Sequence, residues 1–107
     1  MTEALVVLIT VSSPQEGEAI AQALVEEELA ACVNVISGVT SLYRWQGELQ
    51  KEGEVLLVVK SRQELFERLA ARVRQLHSYQ VPEIIALPVV AGDKDYLSWL
   101  NEATQAK

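Results

Sequence analysis

Two side chains in this sequence are of types that bind transition metals or act as nucleophile and base, and each type occurs once. Cys32 carries the only thiol and His77 the only imidazole. A thiolate is a soft ligand for Cu(I), and an imidazole binds copper or zinc. Each residue also has a structural interpretation, Cys32 as a small buried hydrophobe and His77 as a packed side chain or as a cation at the negative end of a helix dipole. Nothing in the spacing brings them together, so we expect no catalysis by this pair.

Four carboxylates form a second candidate group, on a predicted hairpin and on the connection before the last strand. They are Glu48, Glu52, Glu54 and Glu83. Carboxylate oxygens suit hard cations, but this spacing matches no EF-hand loop. We therefore expect these side chains to be solvated or to form weak surface pairs with the nearby cations. Those cations are Arg44, Lys51 and Lys60.

Composition excludes several function classes. The length of 107 residues predicts a single domain spanning 1–107. A net charge of −6 and a pI of about 4.7 oppose binding to nucleic-acid phosphates. The five glycines are scattered and form no phosphate-binding loop. No apolar run is long enough to span a membrane, and Met1-Thr2-Glu3 is not a basic leader, so we expect a cytoplasmic protein without a membrane partner.

The elements that would position these residues alternate in the order β-α-β-β-α-β, followed by one more helix. Short apolar runs predict strands at 4–10, 55–59 and 84–87, and a long strand spans 32–45 before a turn at Gln46-Gly47. Helices are predicted from capping boxes at Ser13/Glu16 and Ser61/Glu64 and from Asp93. This order is the ferredoxin-like split βαβ pattern of an α+β protein. We expect its first and third strands to be central and parallel to each other.

The long strand carries two of the six aromatic residues of the sequence near its end. Period two places one set of its side chains on a single face, namely Val33, Val35, Val39, Tyr43 and Trp45. Ile36 and Leu42 then point the other way, and Gly38 indicates a bulge or bend.

The hairpin made by this strand is too long for the sheet that it belongs to. Fourteen residues, 32–45, extend about 46 Å, roughly twice the length of the first strand. A projecting, partly apolar edge aggregates unless something covers it. We expect another subunit to bury Tyr43 and Trp45, together with Val39 and Leu42. The alternative is that the hairpin folds back onto its own domain, and the pattern alone does not give the number of subunits.

Four segments of the sequence carry a recognisable pattern: Ala31–Asn34, Ser41–Glu48, Leu76–Ile84 and Asp95–Leu100. In their order and spacing, they resemble the signature segments of the CutA divalent-cation-tolerance proteins. The resemblance implies a ferredoxin-like subunit in a tight homotrimer, in which long hairpins extend the sheets of neighbouring subunits. It also implies a role in divalent-cation tolerance, with copper or another divalent cation as the bound ion.

The ligands proposed for that family combine a cysteine near the first strand with histidines just before Tyr79. Of these, His77 is the position that this sequence shares, since Leu5–Val11 has no cysteine and Leu76 precedes His77. Three copies of His77 around a threefold axis, or one joined by Glu83 and a neighbour's carboxylate, would bind a divalent ion better than one imidazole. Cys32 is the third candidate ligand.

The sequence therefore predicts a cytoplasmic, trimeric protein of cation tolerance that binds a metal ion and is not an enzyme. Two alternatives remain open at this stage. One is a trimeric signalling module of the nitrogen-regulatory PII type, with a small ligand in clefts between subunits. The other is a scaffold for an unidentified protein partner.

Overall fold

The computed structural model describes residues 2–107 and has the predicted order of elements. The strands and helices are β1 Ala4–Val11, α1 Pro14–Glu26, β2 Cys32–Trp45, β3 Glu48–Arg62, α2 Phe66–Leu76, β4 Ile84–Pro88 and α3 Lys94–Ala103. A 3₁₀ turn at Gln63–Leu65 leads into α2. The ferredoxin-like α+β fold is thus confirmed, and the predicted bounds of the long strand agree with β2.

The four strands form one sheet in the order β2-β3-β1-β4, in which every neighbouring pair is antiparallel. The expected central strands are central, but the expectation that they are parallel is wrong. The crossover through α1 leaves β2 parallel to β1 with a gap of one strand between them. Because β3 returns from β2 through a tight turn and fills this gap, it must run against both neighbours.

One face of the sheet carries the hydrophobic core. Alternate residues of β1 and β3 point to this face and are fully or almost fully buried: Val7, Ile9, Val11, Val55, Leu57 and Val59. They pack against the apolar stripes of α1 and α2, which contribute Ile20, Leu24, Leu69 and Val73. The apolar side chains that recur every two residues in the strands therefore pack in one layer against those that recur every 3.6 residues in the helices.

The opposite face of the sheet is covered only at one end. There Leu100 of α3 packs with Ala4 and Ala31 in a second, smaller buried cluster. Elsewhere this face is open, and Ile85 and Leu87 of β4 remain half exposed at 52% and 50%. An exposed patch of large apolar side chains commonly marks a surface that binds another molecule, so this face is available for association.

The hairpin projects beyond the sheet as its length predicts. The pairing of β1 with β3 ends at Val11 and Val55, so residues 48–54 of β3 pair only with residues 39–45 of β2. Seven residues per strand extend about 24 Å. The molecule is accordingly elongated, with principal extents of 44 × 25 × 23 Å.

A β-bulge divides β2 and changes which side chains share a face. Ile36 pairs with Leu56 and Val39 with Glu54, so the two residues between them in β2 face a single residue of β3. Gly38 lies in this bulge with φ 83°, and the predicted bulge is thus confirmed. The extra residue reverses the alternation. The expectation that Val33 and Val35 share a face with Tyr43 and Trp45 is therefore wrong.

The register gives the correct grouping of the β2 side chains. Val33 and Val35 pair with buried residues of β3 and face the helices, whereas Val39, Tyr43 and Trp45 face the other side together with Ile36. Leu42 lies on the same side as Val33 and is 62% exposed.

Two of the three predicted helix caps are present. Ser13 accepts a hydrogen bond from the backbone N–H of Glu16, and Asp93 accepts one from Tyr96. The capping box predicted at Ser61 is wrong, because β3 continues through Arg62 and places Ser61 inside the sheet. The buried Ser61 hydroxyl instead donates to the carbonyl oxygen of Leu29 at 2.7 Å.

None of the helices formed by residues 2–107 combines the length and the apolar character that crossing a membrane requires.

Candidate functional site

The ring of His77 is buried where α2 ends and the connection to β4 begins, and its side chain is 0% exposed. Its Nε2 lies 2.7 Å from the carbonyl oxygen of Thr10, and its Nδ1 accepts the backbone N–H of Tyr79 at 3.0 Å. A ring nitrogen that accepts a hydrogen bond carries no proton, so this ring is the neutral Nε2–H tautomer and donates to Thr10. Of the two structural roles expected for His77, the structure shows the packed one, a buried ring bonded to backbone groups.

The carboxylate of Glu16 links the start of α1 to the connection between α2 and β4 through hydrogen bonds. It accepts hydrogen bonds from the backbone N–H and hydroxyl of Ser12 at 3.2 and 2.8 Å. It accepts two more from the backbone N–H and hydroxyl of Ser78 at 2.7 and 3.1 Å. Burial raises the pKa of Glu16, but these hydrogen bonds together outweigh burial and hold the pKa below its usual value. The capping box at Ser13 is thus half formed, since Glu16 bonds to Ser12 and Ser78.

The three candidate metal ligands lie at two ends of the sheet. Cys32 of β2 and Val6 of β1 both pair with Lys60 of β3, so they lie at the same height in the sheet. His77 contacts Thr10, which is four residues further along β1, and Glu83 directly precedes β4 at that same end. Four residues of strand span about 13 Å. Within residues 2–107, no three His, Cys, Asp or Glu side chains form a group that could hold a metal ion.

Cys32 is a free, half-buried thiol beside α3. Burial raises the pKa of the Tyr96 hydroxyl, and the neighbouring Cys32 raises it further. Tyr96 in turn packs against Trp99, with ring centroids 5.5 Å apart. Cys32 therefore lies near the hydroxyl of one aromatic side chain of α3 and is only partly buried.

A cleft of about 880 Å³ lies between the hairpin and the connection that follows α2. Three aromatic and three acidic side chains contribute to its lining: Tyr43, Trp45, Tyr79, Glu52, Glu54 and Glu83. Thr10, whose carbonyl oxygen accepts from His77, also lines it. The predicted carboxylate group therefore assembles here in part, since Glu48 is the one member outside this lining.

Two phenol–carboxylate pairs organise the acidic side of the cleft. The Tyr79 hydroxyl donates to Glu54 at 2.7 Å, and the Tyr43 hydroxyl donates to Glu52 at 2.9 Å. Burial, the hydrogen bond to Glu54 and the charges of both glutamates raise the pKa of Tyr79 above its usual range. The hydrogen bond to Glu52, more than burial and charge, raises the pKa of Tyr43. Both phenols are therefore neutral donors at neutral pH.

Glu54 departs from the sequence expectation in two ways. It is only 8% exposed, although we expected a solvated side chain. The expected ion pairs with Arg44, Lys51 and Lys60 are also absent from the described part of the chain, where arginine–glutamate ion pairs join Arg62 to Glu64 and Arg72 to Glu27. The Lys60 ammonium group instead donates to Asn34 on β2.

The aromatic residues predicted to lie in an interface remain accessible in the single subunit. Tyr43 is 38% exposed and Trp45 is 47% exposed. Both lie on the hairpin face that also carries Gln50 and Glu52. The alternative in which the hairpin folds back to bury these rings in its own domain is therefore not the one observed.

Comparison with known proteins gives the family. The profile described as "CutA1 divalent ion tolerance protein" matches residues 5–103. The chain belongs to the CutA1 family. The resemblance seen in the sequence segments is thereby confirmed.

Relatives in the CutA1 family match this chain over nearly its whole length. The divalent-cation tolerance protein CutA of Thermus thermophilus is 56% identical over 99 residues, which are 92% of this chain and 96% of that protein. The chloroplastic protein CutA of Arabidopsis thaliana is 45% identical over 94% of this chain, which matches 56% of that protein. The solved structure of the divalent cation tolerance protein from T. thermophilus superposes with a TM-score of 0.93 at 54% identity, covering 94% of this chain and 98% of that one.

Sequence reasoning missed two connections that define the site of this CutA1 family member. One is the set of hydrogen bonds from Ser78 to Glu16, which lie 62 residues apart. The other is the pair of Tyr79 and Glu54, which lie 25 residues apart. A weak signal existed for Glu54, since it directly precedes the apolar run of β3 and so sits where the core begins. The identity of its partner, Tyr79, could be known only from the folded structure.

Proposed function

We propose that this CutA1 family member serves divalent-cation tolerance as a cytoplasmic homotrimer that binds copper or another divalent cation and catalyses no reaction. The observation that carries the proposal is the family match over residues 5–103, together with relatives named for divalent-cation tolerance. The net charge of −6 favours cations near the surface. Fractionation of cells would test the compartment, where recovery with a membrane or an exported fraction would contradict it.

The proposed trimer is supported by the surfaces that one subunit leaves uncovered. The hairpin extends beyond β1, and the sheet face opposite α1 and α2 exposes large apolar side chains. Ile36, Ile85 and Leu87 belong to this face, and Tyr43 and Trp45 continue it along the hairpin. Burying apolar area stabilises an assembly by about 25 cal/mol per Å². Contacts between subunits would cover both surfaces at once.

The proposed metal site takes its ligands from more than one subunit, because the candidates of one chain lie apart. Glu83 is exposed and can reach a neighbouring subunit. His77 can offer Nδ1 only by releasing the backbone N–H of Tyr79, which costs about 1 kcal/mol. Cys32 lies at the other end of the sheet and would serve a separate, thiophilic ion. Copies of Glu83 and His77 around a threefold axis form the set that we assign to a divalent cation.

Isothermal titration of the purified full chain with Cu²⁺ and Zn²⁺ tests this assignment. We expect saturable binding that weakens by about tenfold in Glu83→Gln and in His77→Gln, because each loses one ligand of the set. Glu28→Gln is the matched control, since Glu28 is an exposed carboxylate away from this end of the sheet.

Binding weaker than millimolar, or unchanged in both ligand variants, would reject the metal site. His77→Gln also removes buried hydrogen bonds, so its midpoint of urea unfolding should be measured with a chelator present. A loss of metal affinity that exceeds the loss of folded protein identifies a ligand rather than a structural residue.

A further inference from the structure

The open side of β3 carries opposite charges at its two ends. Alternate residues of this strand point away from the core, and they run from Glu52 and Glu54 through Leu56 and Val58 to Lys60. We call these five residues the β3 stripe. Glu54 and Lys60 lie six residues apart, which is about 20 Å of strand, so they do not pair within one chain. The β3 stripe is therefore acidic toward the hairpin, apolar in its middle and basic at the opposite end.

The carboxylate of Glu54 is buried without a cation beside it. Glu54 is 8% exposed, and the neutral hydroxyl of Tyr79 donates to its Oε2 at 2.7 Å. Within residues 2–107, no lysine, arginine or histidine forms an ion pair with Glu54. Taking a charge out of water is costly unless an opposite charge lies next to it. Glu54 therefore favours a cation that comes from outside its own chain.

One oxygen of this carboxylate is open to such a cation. Tyr79 bonds to Oε2, whereas Oε1 has no hydrogen-bond donor within residues 2–107. Every buried side-chain oxygen of those residues has a hydrogen-bond partner, so Oε1 is not enclosed and reaches the surface. Glu54 also pairs with Val39 just beyond Val55, where the pairing of β3 with β1 ends. It therefore lies at the margin of the four-stranded sheet, where a neighbouring copy can approach it.

The ammonium group of Lys60 is likewise not compensated by a carboxylate. It donates to the side chain of Asn34 and, at 3.4 Å, to the carbonyl oxygen of Val58, and both acceptors are neutral. Its cross-strand neighbours are Val6 and Cys32, neither of which carries a carboxylate. A subunit that covers the apolar middle of this face would also remove water from Lys60, so the ammonium group then needs an anion.

We propose that Lys60 of each copy forms an ion pair with Glu54 of the neighbouring copy, so that the copies meet head to tail along their β3 stripes. Leu56 and Val58 then form the apolar centre of the contact. This inference rests on the proposed homotrimer and names the contact that sets its arrangement. In a closed ring, each copy gives Lys60 to one neighbour and Glu54 to the other, so that neither charge is left alone. Complementary charges of this kind fix the register of an interface.

Dissociation of the full chain on dilution tests the pair with Lys60→Met and Glu54→Gln. Light scattering across a dilution series, at one fixed sub-denaturing urea concentration, gives the chain concentration at which the trimer is half dissociated. We expect each substitution to raise this concentration at least about tenfold, because each leaves one buried charge alone. Lys60→Met is the sharper variant. If Lys60 met only apolar groups of the neighbour, methionine would strengthen the contact.

The double variant Lys60→Met/Glu54→Gln shows whether the two residues act on each other. It should dissociate no more readily than the weaker of the two single variants, because one pair accounts for both losses. Since the residues lie about 20 Å apart within a chain, such coupling arises between copies. If circular dichroism shows that Glu54→Gln is unfolded, Lys60→Glu takes its place. We then expect repulsion from Glu54 to weaken the trimer further than Lys60→Met does.

Arg74→Met and Glu67→Gln are the matched controls, because both residues are exposed on α2, on the other side of the sheet. Both should dissociate as the wild type does. Three results would overturn the pair while the trimer stands: a stronger trimer in Lys60→Met, additive losses in the double variant, or equal losses in the controls. A wild-type chain with the mass of one copy would instead overturn the proposed trimer and the pair with it, so the wild-type mass separates the two failures.

Discussion

At His77 both ring nitrogens bond to backbone groups of the same subunit, so the ring ties the end of α2 to β1. A lone histidine after an amphipathic helix predicts several roles equally well, and sequence supplies no means of choosing among them. The choice depends on the carbonyl oxygen of Thr10, which lies 67 residues away in the chain. The candidate metal ligands could therefore be named from residue type, whereas their positions could not.

Glu16 gives a prediction about stability and pH. Because its pKa is lowered in the folded state, its contribution is fully present above the unfolded-state pKa of about 4.3 and is lost as the pH falls through the lower folded-state value. Glu16→Gln should lower the free energy of unfolding by about 1 kcal/mol at pH 7, and this difference should shrink at pH 3. Urea unfolding of both proteins at the two pH values measures it.

Glu18→Gln serves as the control for this measurement, since Glu18 is an exposed carboxylate on the same helix. Its effect should stay within about 0.5 kcal/mol at both pH values. A deficit in Glu16→Gln that is as large at pH 3 as at pH 7 would show that the charge of the carboxylate is not what stabilises this junction.

Among the elements, the apolar runs and helical spacings predicted where strands and helices occur, because burial on a sheet or helix face imposes those periods. The bounds of β2 and the position of its bulge also followed from sequence. Strand direction did not, since one apolar run is compatible with either orientation of its neighbours. The predicted faces of the β2 side chains were wrong beyond Gly38, because a single extra residue moves every later side chain to the opposite face of the sheet.

The bulge gives a prediction about two glycines of the same hairpin. Gly38 has φ 83°, a left-handed conformation that costs an alanine about 1–2 kcal/mol. We expect Gly38→Ala to lower the free energy of unfolding by about that amount, as measured by urea unfolding. A Cβ at this position would meet no atom within 4 Å of its own subunit, so the cost is one of backbone strain.

Gly53→Ala is the matched control for this strain. Gly53 lies in β3 outside the left-handed region, and a Cβ there also meets no atom within 4 Å of its own subunit. Its replacement should be neutral or stabilise by up to about 1 kcal/mol, because alanine restricts the unfolded chain. Equal destabilisation by both variants would argue that the hairpin backbone is not strained at Gly38.

At the scale of the whole molecule, the cleft was the least predictable feature. Its hairpin residues and its connection residues are separated by the last part of β3 and all of α2. The sequence predicts each segment by itself, and the ferredoxin-like order places both at one end of the sheet. The pairing of particular tyrosines with particular glutamates depends on side-chain packing, which periodicity does not encode.

The open sheet face gives a prediction about assembly. Ile85→Glu places a charge where we propose that subunits meet, so it should shift the protein toward a smaller native mass at low micromolar concentration. Val25→Glu is the control, since Val25 is 42% exposed on α1, on the other side of the molecule. It should leave the native mass unchanged. Loss of assembly in both variants, or in neither, would contradict the proposed interface.

The native mass of the wild-type chain is the most direct test of the account, because we assign both the hairpin and the open sheet face to contacts with neighbouring copies. Multi-angle light scattering after gel filtration at low micromolar concentration measures this mass. We expect three times the 11.8 kDa of one chain, with tryptophan emission typical of buried rings. A folded species of one chain mass, with emission shifted to the red, would contradict the account.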